Sequence, residues 1–280
     1  MGNMPYNKNM KKLMKNKYSV PVLAVVVFGI SLVLNGLAGT TLLGGNTTAQ
    51  VSDAYPNLFA PAGITFTIWG IIYLLLAAYC VRLFTKFGKK HDKSAHELAL
   101  KVAPYFIAIS AINAAWILAW QYRVIWLSVL LIVAMLVLLA RIALMTRGAK
   151  LALADWTTIV LPFNVYFGWI TIATIANITT WLVSVQWDGW GLPAPAWTII
   201  MLGVGAMIGV VTAWRIKSWV YLAVFIGAYD GIWLKHMSAQ GFNNQHPAIT
   251  TLLLQLMLVL GLSAVWVAYI SRPRAKRHWL

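Results

Sequence analysis

Charge is what this chain lacks most. Of 280 residues only 10% are Asp, Glu, Lys or Arg, against about a quarter in soluble domains. Such a surface cannot be covered with water-facing groups, so it has to face lipid. Cysteine is nearly absent as well: Cys80 alone, inside an apolar run, excludes an intrachain disulfide framework and reads as a buried, inert thiol. No lysine sits in the middle of an apolar run, which excludes a retinal Schiff base. His91, His96, His236, His246 and His278 fall in loops or at the ends of runs, and none forms an i, i+4 pair with a second ligand, so a metal centre is not expected. No Ser–His–Asp set and no glycine-rich phosphate loop is present, and no catalytic residue is assigned.

What is there is apolar and aromatic: 61% hydrophobic residues and 15 tryptophans. A hydrocarbon core of about 30 Å needs some 20 apolar residues per helical crossing. Eight stretches qualify, at 19–43, 59–82, 101–121, 124–146, 157–181, 195–214, 218–236 and 248–271. The expected fold class is therefore all-α, a polytopic membrane bundle of about eight transmembrane helices. The first run follows a basic stretch and exceeds the 7–15 residues of a cleavable signal core, so it reads as an uncleaved anchor.

The net charge of +16 could suggest nucleic acid, but the basic residues are spread over the loops and tails beside the runs. All of the 22 Lys and Arg except Arg123 and Lys235 fall on one side of the eight-span arrangement. That asymmetry places both termini in the cytoplasm. The partner it implies is the anionic bilayer surface, not nucleic acid. Trp120, Trp126, Trp156, Trp181, Trp187, Trp190, Trp197, Trp214 and Trp219 lie near span ends, as an interfacial aromatic belt does. Trp69, Trp116, Trp169, Trp233 and Trp266 lie deeper, where an indole N–H wants an acceptor.

With that orientation, Asn35, Thr65, Thr67, Trp69, Asn113, Trp116 and Asn177 come to similar depth in the outer half of the membrane, with Trp169 near the middle. Polar side chains at such depth either bond neighbouring helices or face a cavity; as a set they read as a pocket. Pro56, Pro61 and Gly63 mark the entry to the second span. Trp69 and Tyr73 share one face of it, with Thr65 a turn above. The segment 39–58, free of Lys and Arg, reads as a lid. Asp230, in VFIGAYDGIWLKH, is a carboxylate within a span and the candidate proton or ion site. Lys235, His236 and Gln255 are its expected partners, and Gly227 and Gly231 mark a helix contact face.

IWGIIY at Ile68–Tyr73, AINAAW at Ala111–Trp116 and WITIATIAN at Trp169–Asn177 resemble, in order, elements of the second, third and fifth helices of the TspO/MBR family. These are the tryptophan-rich sensory proteins and translocator proteins. The resemblance covers about residues 18–182 and implies a five-helix core over 1–182, with 183–280 as a three-helix extension. It implies a membrane-embedded sensor or translocator, in a bacterial cell membrane, for a flat hydrophobic ligand such as a tetrapyrrole or sterol. Carried over, Thr65, Phe66, Ile68, Trp69, Asn113, Trp116, Trp169, Ala173, Ala176 and Asn177 line or adjoin the pocket, and Asn35 and Tyr73 join them from the depth argument. No cofactor is required, though a porphyrin- or haem-like ligand is implied, and a homodimer is left open. The family's tryptophans before the second helix, tied to porphyrin breakdown, are missing from PNLFAPAGIT, so the expectation is binding without catalysis. The alternative from the residues alone is a proton- or ion-coupled transporter using Asp230.

Overall fold

The computed structural model describes residues 19–84 and 90–271; the terminal basic tails and Lys86 and Lys89, which carry much of the charge asymmetry, lie outside them. Among the described residues there is no strand. Eight long helices run α1 (Ser19–Ala38), α2 (Ile68–Phe84), α3 (Lys90–Gln121), α4 (Ile125–Thr146), α5 (Leu161–Ser184), α6 (Ala194–Ile216), α7 (Trp219–Met237) and α8 (Pro247–Ile270).

Seven of the eight expected spans are long and apolar enough to cross a bilayer, and the protein is an integral, multi-pass membrane protein. The eighth, α7, is diluted by Tyr221, Tyr229, Asp230, Lys235 and His236. Its 19 residues still extend about 28 Å at 1.5 Å each. The second span begins later than its apolar run suggests. Pro61 cannot continue a helix, so the chain stays irregular through Ala62, makes a 3-10 turn over Gly63–Thr67 and enters α2 only at Ile68. The fifth is divided at Val160: a short helix, Leu153–Ile159, precedes α5, whose first turn holds Pro162, where the missing N–H costs nothing.

Short links set the antiparallel order. Arg123 (φ 58°) turns the chain from α3 into α4. Lys217 (φ 56°) ends α6 in the left-handed conformation, and Ser218 caps α7 by accepting the Tyr221 N–H. One end of the bundle therefore gathers Arg82, Lys93, Lys101, Arg141, Arg147, Lys150, Arg215 and Lys217, and the other holds Arg123 and Lys235. At the basic end Arg82 pairs with Asp155 at 2.7 Å, fixing the foot of α2 to the short helix before α5.

The first five helices close a ring in the order α1–α2–α5–α4–α3 and back to α1. Helix α7 packs on the outer side of α5, with α6 and α8 against it. Sandwiched in this way, the segment Leu153–Ser184 has 83% of its most apolar window buried, against 22% for α8. The approach of α5 to α7 depends on Gly168: a Cβ there would lie 2.9 Å from Val224 Cβ and 3.0 Å from the Tyr221 carbonyl oxygen. One turn on, Tyr221 OH donates to Thr171 Oγ1 at 2.9 Å, and the Phe167 and Tyr221 rings meet at 4.9 Å. Trp266 is 59% exposed on α8 and faces away from the bundle.

Gly168→Ala should cost about 1–3 kcal/mol, the usual range for overpacking a tight contact. Gly203→Ala, where nothing lies within 4 Å, should not destabilise. Thermal unfolding in detergent compares the two.

Candidate functional site: an aromatic hollow under the α1–α2 connection

The ring of five helices is filled by aromatic side chains around Trp69. Its ring stacks on Tyr73 at 5.5 Å and meets Trp116 at 5.7 Å, Tyr166 at 5.7 Å and Trp169 at 6.3 Å. Trp120 stacks on Trp116 at 5.8 Å, and Phe66 meets Trp169 edge-on at 6.1 Å. Offset and edge contacts of this kind suit the ring quadrupoles. Rigid rings meeting at such angles do not close every gap, and a hollow of about 40 Å³ remains among them. It holds a few waters at most.

Seven of the expected ligand residues line this hollow: Phe66, Trp69, Trp116, Trp169, Ala173, Ala176 and Asn177. Trp120, expected in the interfacial belt, lines it too, as do Ile172, inside the WITIATIAN stretch, and Thr180, a turn beyond it. Its roof is the α1–α2 connection, which contributes Ser52, Ala60 and Pro61. The connection has its own order: Thr47 and Gln50 form a reciprocal capping box that starts the short helix Thr48–Asp53. Trp120 Nε1 donates to the Thr48 carbonyl at 3.2 Å, and Gln121 Nε2 donates to the carbonyls of Ala38 and Asn46.

The other expected residues lie beside the hollow. Asn113 Oδ1 accepts from Ser31 Oγ at 2.7 Å and from Asn35 Nδ2 at 2.8 Å, with Tyr73 OH at 3.5 Å. Asn35 and Asn113 thus join α1 to α3 behind Tyr73 and do not face the hollow. Thr65 turns toward α7 and packs on Gly231; Ile68 packs against the core without reaching the lining. Asn177 does both jobs, accepting from Trp116 Nε1 at 3.1 Å and donating to Ser128 Oγ at 2.8 Å while it lines the hollow. Asn113 Nδ2 and Thr65 Oγ1 lack a partner among the described residues, though neither residue lines the hollow; Trp169, which does, resembles them. It is 3% exposed, and its Nε1–H finds no acceptor among the described residues.

Asp230 is elsewhere. It lies exposed on the outward face of α7 with Ala223 and Gly227, away from the hollow. None of its expected partners meets it. Lys235 pairs with Asp53, and His236 Nε2 bonds the Leu58 carbonyl at 2.9 Å. Gln255 is exposed on α8 with no hydrogen bond to the carboxylate. Of the two glycines, Gly231 is at a close contact, whereas Gly227 faces open space. Among the described residues no three His, Cys, Asp or Glu side chains gather where a metal ion could sit.

Replacing Asn113 by Ala removes the acceptor of Ser31 Oγ and leaves Asn35 Nδ2 only its bonds to Ser31, so it should destabilise more than Ser31→Ala, by about 1–2 kcal/mol in total. Unfolding in detergent reads the difference.

No curated protein and no solved structure matches the chain. A family model does, that of the TSPO-like protein, and its match extends over residues 21–266. It runs past residue 182, where the resemblance read from the motifs stopped, so α6 to α8 are covered by the match as well as the five-helix ring. With a match over most of its length, and with Trp69, Trp116 and Trp169 converging inside the ring that their motifs implied, the chain belongs to the TSPO-like protein family.

Proposed function

We propose that this membrane-embedded binding protein takes up a flat, hydrophobic, uncharged molecule of sterol-like shape in the hollow, as a sensor or translocator. One observation carries the reading: a buried indole N–H, on Trp169, has no acceptor among the described residues, in a mainly apolar and uncharged lining. An unpaired buried donor costs about 1–3 kcal/mol, and a ligand carbonyl or hydroxyl oxygen would offset it. The aromatic faces of Trp69, Trp116 and Phe66 suit a flat partner.

The lining also argues about charge. No Lys, Arg, His, Asp or Glu belongs to it, so the carboxylates of a natural tetrapyrrole would have no counter-charge. A neutral sterol-like molecule fits better than a porphyrin. The hollow is far smaller than the roughly 300–1,000 Å³ of drug-sized sites, so uptake requires its roof or walls to move apart. With the basic end taken as cytoplasmic from the charge asymmetry, the roofed end would face the outer side of the membrane.

Tryptophan emission of the protein in nanodiscs should change saturably with a neutral sterol, at lower concentration than with a dicarboxylic porphyrin. Trp169→Phe keeps the ring and removes the donor, and should weaken sterol affinity about three- to ten-fold, the worth of one buried hydrogen bond. Equal affinity for wild type and variant, or no saturable change with either ligand, would contradict the reading.

A further inference from the structure

The roof of the hollow is held from outside the five-helix ring. On one flank it is tied to α3 through Trp120 and Gln121. On the other it meets α7, at four places. Asp53 forms an ion pair with Lys235. The Leu58 carbonyl accepts from His236 Nε2 at 2.9 Å; because a carbonyl only accepts, that nitrogen carries the proton. The Ala62 N–H donates to the Gly231 carbonyl at 2.9 Å. Thr65 lies so close over Gly231 that a Cβ there would collide with its Oγ1 and stand 2.9 Å from its Cβ.

These contacts are placed next to the lining. Ser52 precedes Asp53, Ala60 and Pro61 lie between Leu58 and Ala62, and Phe66 follows Thr65; each roof residue that lines the hollow is thus within two positions of a contact with α7. The two flanks differ in strength. Trp120 and Gln121 are buried at the end of α3; on the α7 flank the His236–Leu58 bond is buried too, but Asp53 of the ion pair is 53% exposed on its side chain. An exposed ion pair is worth little and is screened by salt. The α7 flank thus includes the fastening that water and salt reach most directly.

We propose that α7 is the latch of the ligand site: Gly231, Lys235 and His236 are positioning residues that hold the roof shut, and ligand exchanges when the roof swings off α7 while staying tied to α3. This rests on the hollow being the ligand site, but the latch itself can be read without ligand. It gives the last three helices a task, since α7 packs directly on α5 and has α6 and α8 against it.

Hydrogen–deuterium exchange of the full-length protein in nanodiscs tests the latch directly, because the Ala62 amide is itself one of the latch bonds. Lys235→Ala should speed exchange over residues 58–65 about two- to five-fold, with no change along α5, and His236→Phe should add to it. The double exchange Asp53→Lys with Lys235→Asp should restore the wild-type rate. Gly231→Ala should open the segment furthest. With a sterol as probe, the opened variants should bind and release faster by similar factors, leaving affinity nearly unchanged. Unaltered exchange at residues 58–65 in both Lys235→Ala and Gly231→Ala would overturn the latch, as would failure of the charge exchange to restore protection. Faster amide exchange with no sterol binding in any variant would keep the latch as the roof's fastening and sink the ligand reading instead.

Discussion

The constraint on which this architecture depends is that a polar side chain inside a bilayer must find its partner within the protein, and an amide too long to bond its own helix fully reaches another. Asn113 Oδ1 meets it by accepting from Ser31 and Asn35, and Asn177 meets it by bridging Trp116 to Ser128. Between them these two amides connect α1, α3, α4 and α5, which fixes the ring around the tryptophans. Once the ring is closed in that register, Trp69, Trp116 and Trp169 have nowhere to point but inward. The hollow is a consequence of packing flat, rigid rings inside a frame whose spacing is set by hydrogen bonds.

Against that background the exceptions carry meaning. Trp169 keeps an indole N–H without an acceptor at 3% exposure, though Asn177, two helical turns along α5, shows that the fold can supply one when it is needed. Thr65 Oγ1, Asn113 Nδ2, Gln121 Oε1 and His236 Nδ1 are likewise unmet among the described residues, but none of those residues lines the hollow, and an unpaired donor beside a cavity is characteristic of a functional site. The roof is a second exception, an irregular segment over a membrane bundle. It is held by a capping box, by α3 and by α7, so its backbone groups are paired without the hydrogen bonds of a spanning helix.

Much of this was legible in the sequence, and the reasons for the rest are physical. Hydropathy marked the helices because lipid tolerates little else, and the three motif stretches marked Trp69, Trp116 and Trp169 on successive members of the ring. Helical position, however, tells which residues share a face and not what that face meets. Asn35 and Asn113 therefore read as pocket residues although they bond helix to helix, and Trp120 read as an interfacial anchor although it lines the hollow. The start of α2 was misplaced because the apolar run of residues 59–67 says nothing of the 3-10 turn that Pro61 imposes. The contacts of Asp53 with Lys235 and of Leu58 with His236 join residues about 180 positions apart. No local pattern could have shown them, and Lys235 looked like a neighbour for Asp230 on its own helix.

The account is tested most directly by photo-crosslinking. A neutral sterol carrying a diazirine would be irradiated with the protein in nanodiscs, and the adducts mapped by mass spectrometry. Adducts on Ser52, Pro61, Trp169 and Ala173, competed by unmodified sterol, are the predicted result. Adducts confined to lipid-facing positions of α8 such as Leu258 and Leu262, with none inside the ring, would contradict it.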